Sequence, residues 1–112
     1  MEKIGIIGSG TWGTAIAVLL VNNGHEVTLW SAIPAEIEEM AKTRTHRNLP
    51  GVTLPEGLIY TADLEKAMAD KDLLVMAVPS VFVRSTAQKM KPFCKDGQLI
   101  VDVAKGIEEN TL

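Results

Sequence analysis

The feature that most constrains this chain is a cluster of glycines between two apolar segments, in the stretch GIIGSGTWGTAIA at positions 5–17. Within it, Gly8, Gly10 and Gly13 have the spacing G-x-G-x-x-G. The cluster follows a segment typical of a buried strand and opens a segment with helical character. In such a turn the first glycine permits the tight change of direction, the second leaves room beside the backbone, and the third lets helix and strand pack closely. The stretch therefore indicates the first β-α unit of an α/β sheet.

The rest of the chain continues this alternation. Strands are predicted at 3–8, 25–30, 58–61, 72–78 and 97–104, and helices at 14–24, 34–42, 62–70 and 80–90. Strands that are apolar throughout suit a sheet covered on both sides, and β-α alternation requires right-handed crossovers between parallel strands. We therefore predict a Rossmann-type α/β fold, an open, mainly parallel sheet with helices on both faces, in which residues 1–112 form one domain.

The glycine turn also suggests a ligand. The N-terminus of the following helix offers unpaired N–H groups and the positive end of the helix dipole, which suit a doubly charged pyrophosphate. No lysine follows in a G-K-[ST] arrangement, so a mononucleotide phosphate loop is a poor match. Because the turn lies in the first β-α unit of an α/β chain, dinucleotide binding is favoured. A purely structural turn is the alternative.

The adenosine end of such a site lacks its usual acidic residue. That residue should follow the second strand, about 20 residues beyond the glycines, but Ser31 and Ala32 stand there. The nearest carboxylate is Glu36, on the next predicted helix. Arg44 and Arg47 in the following loop could approach a ribose phosphate, although solvated surface positions are the simpler interpretation. The choice between NAD and NADP stays open.

Composition limits the other function classes. The net charge is −3 with no block of like charges, which argues against a basic nucleic-acid-binding face. The longest apolar run, residues 15–21, is too short to cross a bilayer, and the first residues lack the pattern of a secretion signal, so we expect a cytoplasmic protein without membrane insertion. Cys94 is the only cysteine, which excludes a disulfide framework and a thiolate metal cluster. We expect it to be a small buried hydrophobe.

Five blocks of the sequence resemble, in order and spacing, the N-terminal half of the NAD(P)-dependent glycerol-3-phosphate dehydrogenases: GSGTWGTAIA, EVTLW, NLPGVTLPEGLIYTADLEKAM, AVPSVFVR and KGIE. The resemblance covers essentially the whole chain. Its LPG…LP loop is the most specific part, because a general dinucleotide-binding fold does not need it. The resemblance implies reversible hydride transfer between NAD or NADP and glycerol 3-phosphate or dihydroxyacetone phosphate, a reaction that feeds glycerophospholipid synthesis.

The resemblance also implies roles for single residues. Thr11, where the family usually has serine, and Trp12 would contact the pyrophosphate through the loop backbone. Ser31 and Ala32 depart from the family pattern, but their position after the second strand places Ser31 at the adenosine end of the predicted site. Phe82 would lie near the nicotinamide, with a position in the helix core as the alternative. Lys105 would lie between cofactor and substrate, where an ammonium can bind a substrate phosphate. A solvated strand cap is the alternative for Lys105.

The resemblance implies that the general acid/base comes from a later, mostly helical domain, which is absent from this chain. We therefore predict no catalytic residue within residues 1–112 and no turnover by the isolated chain, and we interpret His25 as structural and His46 as solvated. Loss of a second domain would expose an apolar face, so self-association, for example as a homodimer, is expected. Two alternatives stay open: the cofactor domain of another small-substrate dehydrogenase, and a non-catalytic dinucleotide sensor.

Overall fold

The computed structural model describes residues 2–45, 51, 53–78, 80–94 and 99–102, without the side chains of residues 11, 80 and 102. Its elements are, in chain order, β1 (Lys3–Ile7), α1 (Thr11–Asn22), β2 (Glu26–Trp30), α2 (Pro34–Thr43), β3 (Leu58–Thr61), α3 (Leu64–Met68), β4 (Leu73–Met76), α4 (Ser80–Met90), a 3-10 turn (Lys91–Phe93) and β5 (Leu99–Asp102). Each predicted strand and helix occurs. Helix α1 begins before the predicted residue 14 because Gly10 of the glycine turn is its N-cap.

The five strands form one sheet in the order β3-β2-β1-β4-β5, and every pair of neighbours is parallel. The chain builds outward from β1 to β3 and then crosses to β4 on the other side of β1. The carboxyl ends of β1 and β4 are therefore adjacent at the point where the winding reverses. In open α/β sheets this switch point is the usual place for a ligand. The predicted open, parallel α/β sheet is confirmed.

Two apolar layers cover the sheet. Successive side chains of a strand point to opposite faces, so Ile6 of β1 belongs to one layer and Ile7 to the other. The first layer contains buried residues of α1 and α2, and the second contains buried residues of α3 and α4. The predicted placement of helices on both faces is confirmed, and it follows from right-handed crossovers on either side of the switch point.

The short helix α3 packs unusually close to the sheet. A Cβ added at Gly5, in the middle of β1, would clash with the backbone carbonyl of Ala67 in α3 and lie 2.9 Å from a side-chain carbon of Leu74. At the start of α3 the Asp63 carboxylate accepts a 3.0 Å hydrogen bond from the backbone N–H of Glu65. A cap and a glycine therefore hold a helix that is too short to be stable alone.

The expectation that Cys94 is buried is wrong. Cys94 is exposed rather than buried, because it follows the surface turn Lys91–Phe93, none of whose residues is buried.

His25 lies at the amino end of β2, where its Nδ1 accepts a 3.1 Å hydrogen bond from the backbone N–H of Glu2, in agreement with a structural role. His46 lies outside the described residues. No helix in the described part of the chain combines the length and apolar character needed to span a membrane.

Candidate functional site

The turn between β1 and α1 requires glycine at its first motif position. Gly8 has φ +125°, a conformation that side-chain-bearing residues rarely adopt. A Cβ there would also lie 2.7 Å from the backbone carbonyl carbon of Ala77 and 2.8 Å from the backbone nitrogen of Val78. The Gly8 N–H donates a 3.0 Å hydrogen bond to the carbonyl oxygen of Trp30. Gly8 therefore allows the turn to pack directly against the ends of β2 and β4.

The other two motif glycines differ in what surrounds them. A Cβ added at Gly13 would clash with the carbonyl oxygen of Gly8, so glycine there permits the close approach of α1 to the turn. A Cβ added at Gly10 would meet no atom of the described chain within 4 Å, and its φ of −67° suits any residue. Nothing within the described protein thus requires glycine at position 10. The absence of a side chain at Gly10 leaves open space at the N-terminus of α1.

The N-terminus of α1 is suited to an anion. Its N-cap, Gly10, has no side chain to satisfy the first N–H groups, and the first turn carries no acidic residue. The positive end of the helix dipole therefore faces the open space beside Gly10. A pyrophosphate at this place would supply acceptors for those N–H groups.

A buried threonine holds the turn from behind. Thr14 is fully buried, and its Oγ1 donates a 3.0 Å hydrogen bond to the carbonyl oxygen of Ser9. The Thr14 backbone N–H donates 2.9 Å to the carbonyl oxygen of Gly10. One residue thus fixes both middle residues of the turn. Sequence reasoning missed the role of Thr14. The signal that could have revealed it is a threonine in the first turn of the helix that follows the glycine motif.

A cleft of about 500 Å³ opens beside the turn at the carboxyl edge of the sheet. The turn forms its floor, the segment after β2 forms one side, and the end of β4 with one face of α4 forms the other. Its lining residues are Gly8, Ser9, Gly10, Trp30, Ser31, Ala32, Ile33, Glu36, Ala77, Val78, Phe82, Ser85, Thr86 and Lys89. The cleft therefore lies at the switch point between β1 and β4, where the strand order predicts a ligand.

The β2 side of the cleft contains a buried serine with a local role. The Oγ of Ser31 accepts a 3.1 Å hydrogen bond from the backbone N–H of Ile33, and the Ser31 N–H donates 3.2 Å to the carbonyl oxygen of Thr61. Ser31 thereby shapes the turn from β2 into α2 while lining the cleft. Ala32 and Ile33, which follow it, are exposed.

The first turn of α2 brings a carboxylate to the glycine turn. Glu36 lines the cleft, and its Oε1 accepts a 3.0 Å hydrogen bond from the hydroxyl of Ser9, the residue between the first two motif glycines. Pro34 occupies the first turn of α2, where its fixed φ suits the start of a helix. The sequence identified Glu36 only as the nearest carboxylate, and the structure places it directly over the turn.

The comparisons with known proteins agree with this geometry. A family model described as the N-terminus of NAD-dependent glycerol-3-phosphate dehydrogenase matches residues 3–112. This chain belongs to that family. The resemblance noted in the sequence is thereby confirmed.

Relatives and solved structures carry the same family name. The chain is 54% identical to a glycerol-3-phosphate dehydrogenase [NAD(P)+] of Lactobacillus delbrueckii and 56% identical to one of Agathobacter rectalis, over its whole length and about a third of theirs. It matches the crystal structure of a glycerol-3-phosphate dehydrogenase of Coxiella burnetii with a TM-score of 0.85 and 31% identity, over 90% of this chain and 31% of that one. The chain thus spans about a third of the length of the curated relatives it matches.

The structure brings several of the predicted site residues into one cleft, some predicted from the glycine motif and one from the family resemblance. Gly8, Gly10, Ser31 and Phe82 line it. Phe82 is 55% exposed, which rules out the alternative of a helix core position. Gly13 lies behind the turn, where its close contact is with Gly8.

Three other predicted site residues are not among the described residues that line the cleft. Trp12 lies in the first turn of α1, and its side chain is 52% exposed. Thr11 is the first residue of α1, and its side chain lies outside the description. Lys105 lies outside the described residues.

Arg44, which the sequence suggested as a contact for a ribose phosphate, instead binds the loop that follows α2. Nε and Nη2 of Arg44 donate 3.2 and 3.0 Å hydrogen bonds to the carbonyl oxygen of Leu54, and Nη1 lies 3.4 Å from the Glu56 carboxylate. Arg44 therefore fastens the loop that follows α2. Burial of the phenol raises the pKa of Tyr60 above the ordinary 10.0, and the positive charge of Arg44 partly offsets this rise. Arg47 lies outside the described residues.

Proposed function

We propose that this chain is the dinucleotide-binding part of a glycerol-3-phosphate dehydrogenase. The proposed reaction is hydride transfer between NAD or NADP and glycerol 3-phosphate or dihydroxyacetone phosphate, which would feed glycerophospholipid synthesis. The observation that carries the proposal is the open space at Gly10, beside an α1 N-terminus without a side-chain cap. Family membership and the names of the relatives support the choice of substrate.

The residues of the cleft fit a dinucleotide. Backbone N–H groups at the start of α1 would bind the pyrophosphate, with Thr11 and Trp12 contributing through the backbone. The segment at Ser31 would receive the adenosine half, and the exposed ring of Phe82 would offer an apolar surface to the nicotinamide and limit the access of water to it. When bound, the nicotinamide cofactor supplies or accepts the hydride.

The substrate side of the proposal rests on Lys105 and on a second domain of the kind that the family resemblance implies. Lys105 would bind the substrate phosphate through its ammonium group. The general acid/base that moves the hydroxyl proton is proposed to come from a further, helical domain. A cytoplasmic location and a homodimer complete the proposal, and cell fractionation and light scattering would test them.

The test uses the full encoded protein. Titration with NADH and NADPH should quench its tryptophan fluorescence saturably, because Trp30 lines the cleft and Trp12 lies in the first turn of α1. NADH or NADPH should then be oxidised when dihydroxyacetone phosphate is added, and Lys105→Met should raise KM for that substrate by about ten-fold or more while leaving nucleotide binding within about three-fold. Nucleotide binding without turnover of this substrate would contradict the assigned activity. Absence of any nucleotide binding would contradict the proposal as a whole.

A further inference from the structure

We propose that Glu36 makes this site prefer NAD over NADP, by accepting hydrogen bonds from the adenosine ribose hydroxyls and repelling a 2′-phosphate. The proposal rests on the proposed function, because it assumes that the cleft binds a dinucleotide. It assigns the role of the missing acidic residue after β2 to a side chain from the next helix.

The Glu36 carboxylate lies beside the glycine turn and lines the cleft. Its 3.0 Å hydrogen bond from Ser9 places Glu36 over the residue between the first two motif glycines. With the pyrophosphate at the α1 N-terminus, the adenosine half occupies the β2 side of the cleft, which Ser31 and Ala32 line together with Glu36. An acidic residue at the end of β2 would act at this same side, so Glu36 can replace it from α2.

The Glu36 carboxylate can accept more hydrogen bonds than the one that Ser9 donates. An ionised carboxylate offers about four acceptor sites on two oxygens. One hydrogen bond from Ser9 therefore leaves Glu36 able to accept from both hydroxyls of a ribose. The same hydrogen bond holds the side chain in place before a ligand arrives, which reduces the entropy lost on binding.

Few ionisable side chains surround Glu36 among the described residues of the cleft. Among the described lining residues, Glu36 and Lys89 are the ionisable ones, and Lys89 belongs to α4 on the opposite face of the sheet from α2. The guanidinium of Arg44 is engaged with Leu54 and Glu56. A 2′-phosphate on the β2 side would thus meet a carboxylate and no described cation, which disfavours NADP.

The test compares the affinities of the full encoded protein for NADH and NADPH, read by tryptophan fluorescence. The wild type should bind NADH at least about ten-fold more tightly than NADPH. Glu36→Gln keeps an acceptor for Ser9 and for ribose hydroxyls but removes the charge, so it should tighten NADPH binding about ten-fold and change NADH binding by less than about three-fold. Glu36→Asp keeps the charge and should keep the preference.

The matched control is Glu38→Gln, which removes the same charge from an exposed position of α2 that does not line the cleft. It should leave both affinities unchanged. Equal wild-type affinities, or a Glu36→Gln variant that binds both nucleotides with an unchanged ratio, would overturn the assignment to Glu36 and leave dinucleotide binding intact. If the wild type binds neither nucleotide, the proposed function fails and the role of Glu36 fails with it.

Discussion

The three motif glycines are needed for two different reasons, protein packing and ligand space, which the sequence pattern alone does not distinguish. Gly8 is required by its positive φ and by the backbone atoms of Ala77 and Val78 around it, and Gly13 by the carbonyl oxygen of Gly8. Gly10 is required by neither backbone conformation nor packing within the described chain. Substitutions at Gly8 and Gly13 should therefore affect folding, and substitution at Gly10 should affect ligand binding.

This difference predicts opposite outcomes for two alanine variants. Gly8→Ala should lower the free energy of unfolding by about 2 kcal/mol or more, because it combines a strained φ with a backbone clash. Gly10→Ala should change it by less than about 1 kcal/mol, yet weaken NADH binding by about ten-fold or more by filling the open space. Urea unfolding and nucleotide titration of the same samples measure both effects. A Gly10→Ala protein with wild-type affinity would show that the space at Gly10 serves no ligand.

Tyr60 supplies a second prediction for a single side chain. Its hydroxyl is buried, and no hydrogen-bond partner is found for it among the described residues. Tyr60→Phe should therefore be neutral or should raise the free energy of unfolding by up to about 1 kcal/mol. Thr14→Val, which removes a buried hydroxyl that does donate a hydrogen bond, should lower it by about 1 kcal/mol and serves as the control.

The pH dependence of the Tyr60 variant follows from the raised phenol pKa. Because the folded chain holds the phenolic proton more tightly than the unfolded chain, whose tyrosine titrates near 10.0, this contribution is complete below that pH and is lost as the pH rises through the folded pKa. The wild type should therefore lose stability more steeply than Tyr60→Phe above pH 10.0. Parallel slopes in urea unfolding at alkaline pH would contradict the raised pKa.

At the scale of elements, Arg44 holds the described part of the connection from α2 to β3. Arg44 ends α2 in the left-handed conformation, its N–H donates 2.7 Å to the carbonyl oxygen of Met40, and its own carbonyl oxygen accepts 2.6 Å from the N–H of Leu54. The guanidinium adds two hydrogen bonds to the carbonyl oxygen of Leu54, whose side chain is fully buried. Backbone and side chain of Arg44 therefore dock the same point of the loop onto the core.

Two substitutions distinguish these hydrogen bonds from the ion pair. Arg44→Lys cannot reproduce the fork and should lower the free energy of unfolding by about 1–2 kcal/mol. Glu56→Gln should change it by less than about 0.5 kcal/mol, because Glu56 is 88% exposed and the pair is screened by solvent. Thermal or urea unfolding at low and high salt checks both. A larger loss for Glu56→Gln than for Arg44→Lys would reverse the assignment.

At the scale of the whole molecule, the cleft depends on both layers of the sheet. Its walls come from the start of α2 in one layer and from α4 in the other, and the turn between β1 and α1 joins them. The chain nevertheless spans only about a third of the relatives' length. Residues 1–112 should therefore contain the dinucleotide cleft without a complete catalytic site.

The isolated 112-residue chain is thus expected to separate binding from catalysis. It should bind NADH, as measured by tryptophan quenching, but oxidise none above the blank when dihydroxyacetone phosphate is supplied. The full encoded protein, assayed at equal concentration, is the positive control. Turnover by the short chain would show that a general acid/base lies within residues 1–112.

Much of the fold follows from local sequence. Apolar strands alternating with helical segments specify a parallel α/β sheet, because handedness and burial leave few other arrangements. The glycine spacing specified the turn and favoured a dinucleotide as its ligand. Cys94 shows the limit of such reasoning: a residue type that is usually buried lies on the surface because a 3-10 turn places it there.

The sequence by itself determined the elements, the glycine turn and the family, since these depend on short-range patterns of hydrophobicity and backbone freedom. Only the tertiary structure decided which distant side chains share the cleft. Glu36 meets Ser9 across 27 positions, and Phe82 reaches the same cleft from α4. Spacing along the chain cannot give such meetings, because they depend on the angle at which each helix leaves the edge of the sheet. That angle is set by the packing of both layers.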